Sequence, residues 1–347
     1  MVGFDGFVDT IIHLVDERLD VRNYRRMESM DQFAQRVAAA AGYSANIEMV
    51  PQQIKLGGNG PILADGLRHM GCAVTYVGAL GEPDIHMVFK ELAAACARVV
   101  SLTNPAETDA LEFVDGKLMM GKMQTLEEIN WENLLAHIPE GEFLNLLNEQ
   151  AMLACVNWTM LPKMNGILTG LNGLLSRCEH RPYLFIDLAD PRKRTREDIR
   201  GVLDILSGLQ EHANVILGMN EQESAQVEQI LLGETDMDIR NRAIRVRSAL
   251  DLDMVLIHPV RSACVADENG VYMMEGPYTP TPKLTTGAGD TFNAGFCRGI
   301  LSGLTPEQAV GSGVCASGFY VRHARAPQYD ELIAFMRDWA AVDCGAI

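Results

Sequence analysis

Apolar residues follow two regimes along the chain. Short uninterrupted runs over 74–79, 98–102, 152–157, 183–188, 214–217 and 254–258 predict strands buried on both faces. Between them, apolar positions recur at helical spacing over 62–70, 85–95, 196–209 and 237–250. Strands separated by such helices imply βαβ units and a mostly parallel sheet covered on both sides. Two segments break this rhythm. Residues 109–123 hold two short runs around Asp115-Gly116, a strong hairpin signal, and 262–274 repeat that pattern around Glu268-Asn269-Gly270. Residues 16–53 are polar and predict only a helix over 30–41, whereas 288–341 read as helical with breaks at 303–306 and 324–328. No repeat or low-complexity linker divides the chain.

The 347 residues carry 29 Lys+Arg against 46 Asp+Glu, a formal charge of −17. That balance excludes a nucleic-acid partner, which needs clustered cations. No apolar run reaches the ~18–20 residues of a membrane span, and no basic, apolar leader opens the chain. Eight scattered cysteines without a C-x-x-C pair suit reduced thiols in a cytoplasmic protein. Histidines show no zinc spacing.

Three stretches could carry chemistry. Thr285-Thr286-Gly287-Ala288-Gly289-Asp290 precedes an apolar helix marked by Phe292, Phe296 and Ile300. The amides of Gly287, Ala288 and Gly289 would form an anion hole at the positive end of that helix. Asp290 in its first turn suits a base that takes a proton from a hydroxyl, or, equally from this motif alone, a plain N-cap. Gly57-Gly58-Asn59-Gly60-Pro61 opens another helix and offers Asn59 as donor and acceptor to a polyol. Asp5 and Asp9 stand in a first strand read over 3–10, where a ligand binds beyond the strand end. Asn220-Glu221-Gln222-Glu223 and the charged run 187–194 follow two further strands. No G-x-x-x-x-G-K-[ST] loop is present, so phosphoryl transfer here would use another solution.

In this order the motifs resemble those of the ribokinase-like (PfkB) carbohydrate kinase family over nearly the whole chain. An early Asp, a GGN turn, TYVGALG, a hairpin, D-x-x-D-P-x-K-R, N-x-x-E and TTGAGDTFNAGF all occur in sequence. The resemblance implies a three-layer α/β/α sandwich over 1–347, with a mostly parallel central sheet and a small β lid from about 10–20, 46–56 and 103–123. It implies Asp290 as catalytic base and Gly287, Ala288 and Gly289 as the anion hole. Asp9, Asp5, Gly58 and Asn59 would contact the sugar. Asn220, Glu223, Arg261 and Thr286 would serve ATP, with Glu223 also toward Mg²⁺.

The chain departs from the family pattern at several points. Leu284 replaces the Asp of a monovalent-cation site, which leaves potassium unassigned. His258-Pro259-Val260-Arg261-Ser262-Ala263 stands where T-x-G-x-x-G usually flanks the nucleotide, and Arg261 there could meet a phosphate. Ile62 replaces the second Asn of the GGN turn, and Glu82-Pro83-Asp84 alters a loop on the substrate side. The expected activity is ATP- and Mg²⁺-dependent phosphorylation of a sugar or polyol hydroxyl, with two copies pairing through the lid. The alternatives are a nucleoside kinase of the same fold and a weakened sugar-binding regulator.

Overall fold

In the computed structural model, described over residues 1–236 and 238–343, the chain builds two sheets. Its strands in order are β1 Val2–Phe4, β2 Phe7–Arg18, β3 Tyr24–Arg26, β4 Met49–Gly57, β5 Thr75–Gly78, β6 Arg98–Ser101 and β7 Ala106–Phe113. There follow β8 Gly116–Lys122, β9 Met152–Cys155, β10 Tyr183–Asp187, β11 Asn214–Met219, β12 Met254–Ile257, β13 Ser262–Asp267 and β14 Gly270–Glu275. The larger sheet has nine strands in the order β14-β13-β12-β11-β10-β9-β1-β5-β6. All neighbours from β12 to β6 run parallel, and the hairpin β13–β14 closes one edge antiparallel.

The uninterrupted apolar runs have their explanation in this sheet. On β10, Leu184 and Ile186 pack into one helical layer while Phe185 packs into the other. Both faces are therefore dry, which is why periodicity of two is absent from the sequence there. Helices Met164–Leu175 and Arg196–Leu209 cover one side; Asn59–His69, Ala288–Leu301 and Pro306–His323 cover the other. The apolar row Phe292, Phe296 and Ile300 lies in that second layer, all three buried.

The second sheet holds five strands, with β4 on one side of β2 and β7 on the other, and β8 outside β7. Its own small core of Ile12, Leu14, Met27, Leu111 and Phe113 is covered by Met30 and Phe33 from helix Met30–Ala39. Here the structure corrects the single first strand read over 3–10. The backbone leaves the large sheet after Phe4, turns through Asp5-Gly6 and enters the smaller one at Phe7. The polar stretch 16–53 resolves into the end of β2, then β3, the helix and β4, most of whose residues are exposed. Residues 85–95 form a short 3₁₀ turn, Met87–Phe89, and helix Lys90–Ala95 rather than one helix. The helix predicted over 237–250 spans Ile239–Leu250, Met237 lying outside the described residues, as does Cys344.

No helix among the described residues is long and apolar enough to cross a membrane.

Candidate active site

The parallel strands end at one edge, and the residues just beyond them converge there: Asp5 after β1, Asn157 after β9, Asn220 after β11 and His258 after β12, with Asp187 closing β10. This is where an open α/β sheet receives ligands. Two helix N-termini complete the site.

The first is that of Asn59–His69. Its N-cap, Gly58, has φ +94° and no side chain to cap the helix. Asp5 does that work from a distance, accepting the N–H groups of Asn59 at 3.0 Å and Gly60 at 2.8 Å, and Asn157 Nδ2 at 2.5 Å. A side chain at Gly60 would sit 2.5 Å from that carboxylate, so the turn must stay bare. Asp5 is fully buried, and desolvation raises its pKa to about 6 against the lowering effect of those three bonds. Both oxygens of Asp5, expected at the substrate, are engaged by the GGN turn and Asn157.

The second is that of Ala288–Leu301. Gly287, at φ +90°, caps it, and a Cβ there would lie 2.8 Å from the hydroxyl of Tyr320. The two helices pack closely, since a Cβ on Gly66 would meet Ala294 at 2.8 Å. That approach brings Asn59 Nδ2 to within 2.8 Å of Asp290 Oδ1. Asp290 is half-buried in the first turn, and its pKa rises from 3.8 to about 7. Desolvation is the main cause; the bond from Asn59 opposes it, and the charges of Asp5 and Glu223 add to it. A carboxylate with such a pKa takes up or releases a proton near neutrality. Of the three amides expected in the anion hole, Ala288 donates to the Thr285 carbonyl at 3.1 Å. Gly289, the second residue of the helix, lines the adjoining cavity with an N–H beyond the reach of the helical ladder.

That cavity, of about 590 Å³, lies between the 258–262 loop, residues 276–285 and the helices Ala288–Leu301 and Pro306–His323. Thr285 lines it, whereas Thr286 does not and instead accepts the Tyr320 hydroxyl on its carbonyl at 2.8 Å. Arg261 is exposed on its wall, its guanidinium 3.9 Å from the centre of the Tyr278 ring. Asn220 also borders the cavity.

Glu223 was expected at a metal. Its Oε2 accepts the Asn220 N–H at 2.8 Å and its Oε1 the Asp190 N–H at 2.9 Å, closing a capping box on helix Glu221–Leu232. Burial raises its pKa. Among the described residues no three His, Cys, Asp or Glu side chains gather as a ligand cage.

Asp187 accepts Ala189 N–H and Asn293 Nδ2, both at 2.8 Å, and its pKa is pushed far up by desolvation and then by the charges of Glu223 and Asp290. The cations that follow it are partly committed. Arg192 pairs with Asp190 at 2.7 Å, and Arg194 stacks on Trp158 at 4.6 Å. Asn157 and Asn293 escape sequence reasoning, because each meets its carboxylate partner only through long-range folding.

Asp9 sits apart from these groups, on β2 of the smaller sheet. It is buried, with its carboxylate against Gly57, where a Cβ would come within 2.5 Å of it. Desolvation raises its pKa, while the charge of Lys55 and a bond with Thr108 lower it.

Known proteins share this fold. The family model of the prokaryotic ketohexokinases matches residues 1–339. The ketohexokinase of Haloferax volcanii is 28% identical over 339 residues, covering 96% of this chain and 90% of that protein. In fold, the chain resembles Arabidopsis thaliana ribokinase complexed with ribose and ATP, with TM-score 0.67, 16% identity and 96% of each chain covered. Ribokinase from Thermotoga maritima gives TM-score 0.65 at 14% identity, with 97% of each chain covered. The chain belongs to the prokaryotic ketohexokinase family and is a carbohydrate kinase of the ribokinase-like fold.

Proposed function

We propose that the protein transfers the γ-phosphoryl group of ATP to a hydroxyl of a ketohexose, with Asp290 as the base. The observation that carries this reading is the position of Asp290. Its carboxylate accepts Asn59 Nδ2 at 2.8 Å, one residue after Gly289 on the wall of the 590 Å³ cavity, at the positive end of a helix, with a pKa near 7. The sugar lies on the side of Asp9, Gly58 and Asn59, and the nucleotide occupies the cavity beside Gly289, Asn220 and Arg261.

The acceptor O–H gives its proton to Asp290 while its oxygen bonds to the γ-phosphorus. The bond from that phosphorus to the β–γ bridging oxygen breaks, and ADP departs. The Gly289 amide and the helix dipole offset charge on the transferring group, so positioning and electrostatics supply most of the acceleration. Asn59 holds Asp290 in line, and Asp5 holds Asn59. Mg²⁺, when bound, neutralises phosphate charge. The engaged oxygens of Glu223 suit an ion that keeps its waters and phosphate ligands, with Glu223 acting through water.

The ketohexose specificity draws support from the family and from the Haloferax volcanii relative. A phosphoryl-transfer screen of ketohexoses, aldoses, sugar acids and nucleosides with ATP tests it. The highest kcat/KM is expected for a ketohexose; preferred turnover of a nucleoside would overturn the reading.

A further inference from the structure

One strand of the smaller sheet has its polarity inverted. On β4, Ile54 is 57% exposed, whereas its neighbour Lys55 is half-buried. Folding alone favours the reverse, since an aliphatic side chain gains by leaving water and an ammonium loses by it. An inversion of this kind marks a position shaped by something other than stability.

The register shows what Lys55 faces. It lies directly opposite Asp9 across the β2–β4 ladder, and Thr108 lies opposite Asp9 across the β2–β7 ladder. Cross-strand neighbours share a face with Cβ atoms about 5 Å apart. Asp9, Lys55 and Thr108 thus form one polar row, continuous at Gly57 with the turn that carries Asn59 to Asp290. The other two lysines of these strands are neutralised: Lys117 pairs with Glu112 and Lys122 with Asp109, both at 3.0 Å. Lys55 has no ion pair within 4.0 Å among the described residues, although its charge is felt by Asp9. Its three N–H donors remain available to a ligand.

We propose that Lys55 determines acceptor specificity. Its ammonium donates to a carbonyl or hydroxyl oxygen of the sugar, next to a hydroxyl that donates to Asp9. An acceptor and a donor side by side match vicinal oxygens of a neutral polyhydroxy carbonyl compound. A carboxylate or phosphate on the acceptor would bring its charge against Asp9, so anionic sugars are disfavoured. The inference rests on the kinase reading and deepens it, naming the residue that reads the sugar on the side away from Asp290.

Steady-state kinetics of K55M, K55Q and K55R with a ketohexose and ATP test it. In K55M and K55Q the sugar KM should rise at least about tenfold, the factor carried by a charge-assisted hydrogen bond. The ATP KM and kcat should stay within about twofold, and K55R should recover part of the loss. A lysine that merely braces the lid would shift both KM values, or the Tm alone, and either pattern overturns the proposal. So does a sugar KM unchanged in K55M and K55Q when the wild type phosphorylates ketohexoses. A wild type that phosphorylates no sugar overturns the kinase reading first, and this inference with it.

Discussion

The two walls of the cleft are held by different means. On the proposed acceptor side, a chain of hydrogen bonds, buried at Asp5 and half-buried at Asp290, runs from Asn157 to Asp5, to the amides of Asn59 and Gly60, and through the Asn59 side chain to Asp290. On the proposed donor side, the wall is Pro259, Val260, Pro277, Tyr278 and Pro282, with Val260 91% exposed. His258 there stacks on Phe292 at 4.8 Å, its buried Nε2 without a partner and its pKa lowered to about 4 by desolvation. Moving the first wall strands buried N–H groups and carboxylates, which is costly; moving the second costs little. The same contrast runs along the sequence, where GGN and GAGD match the family pattern and the 258–263 loop departs from it. In the proposed reaction the preorganised wall would set the chemistry, and the looser one would hold the nucleotide.

The largest effect should come from Asp290→Asn, which keeps the shape and removes the base. Turnover is expected to fall about 10²–10⁴-fold while the sugar still binds by calorimetry; residual activity near wild type would break the assignment. The same variant has a stability signature. Burial raises the folded pKa of Asp290 from 3.8 to about 7, so its contribution to stability is full below 3.8 and is lost as pH rises through 7. Asparagine does not ionise, and the Tm advantage of the variant over wild type should therefore be greater at pH 8 than at pH 5.

Asp5→Ala should come next. It leaves Asn59 N–H, Gly60 N–H and the Asn157 amide without their acceptor. A loss of about 2–5 kcal/mol in urea unfolding is expected, with kcat at least about tenfold lower as Asn59 ceases to hold Asp290. Normal kcat in a folded variant would deny the chain of positioning. The smallest effect belongs to the looser wall. Arg261→Ala should raise the ATP KM roughly threefold to tenfold and leave kcat and the sugar KM alone, because the guanidinium is exposed.

Much of this was legible from local pattern. The turn Gly287-Ala288-Gly289-Asp290 and the turn before Asn59 announce themselves because a helix start and its glycines are contiguous in sequence. The role of Asp5 in holding the GGN turn is not visible in the sequence, because its partners lie 54, 55 and 152 residues away. The split of 3–10 into strands of two sheets was invisible, since only Asp5-Gly6 separates Phe4 from Phe7. β4 is announced only by the family resemblance, which implies a lid segment over about 46–56, because a mostly exposed strand carrying Pro51, Gln52, Gln53 and Lys55 shows no apolar alternation of its own. The sequence offers Glu223 to a metal but does not show its capping box with Asn220, because the same carboxylate spacing serves both.

The central claim is that Asp290 removes the acceptor proton from a site whose surroundings hold its pKa near 7. The pH dependence of kcat/KM for a ketohexose tests it most directly, because that parameter reports the free enzyme. The account predicts an acid limb of unit slope, with a midpoint close to 7 and a plateau above it. A profile flat from pH 5 to pH 8 would contradict it.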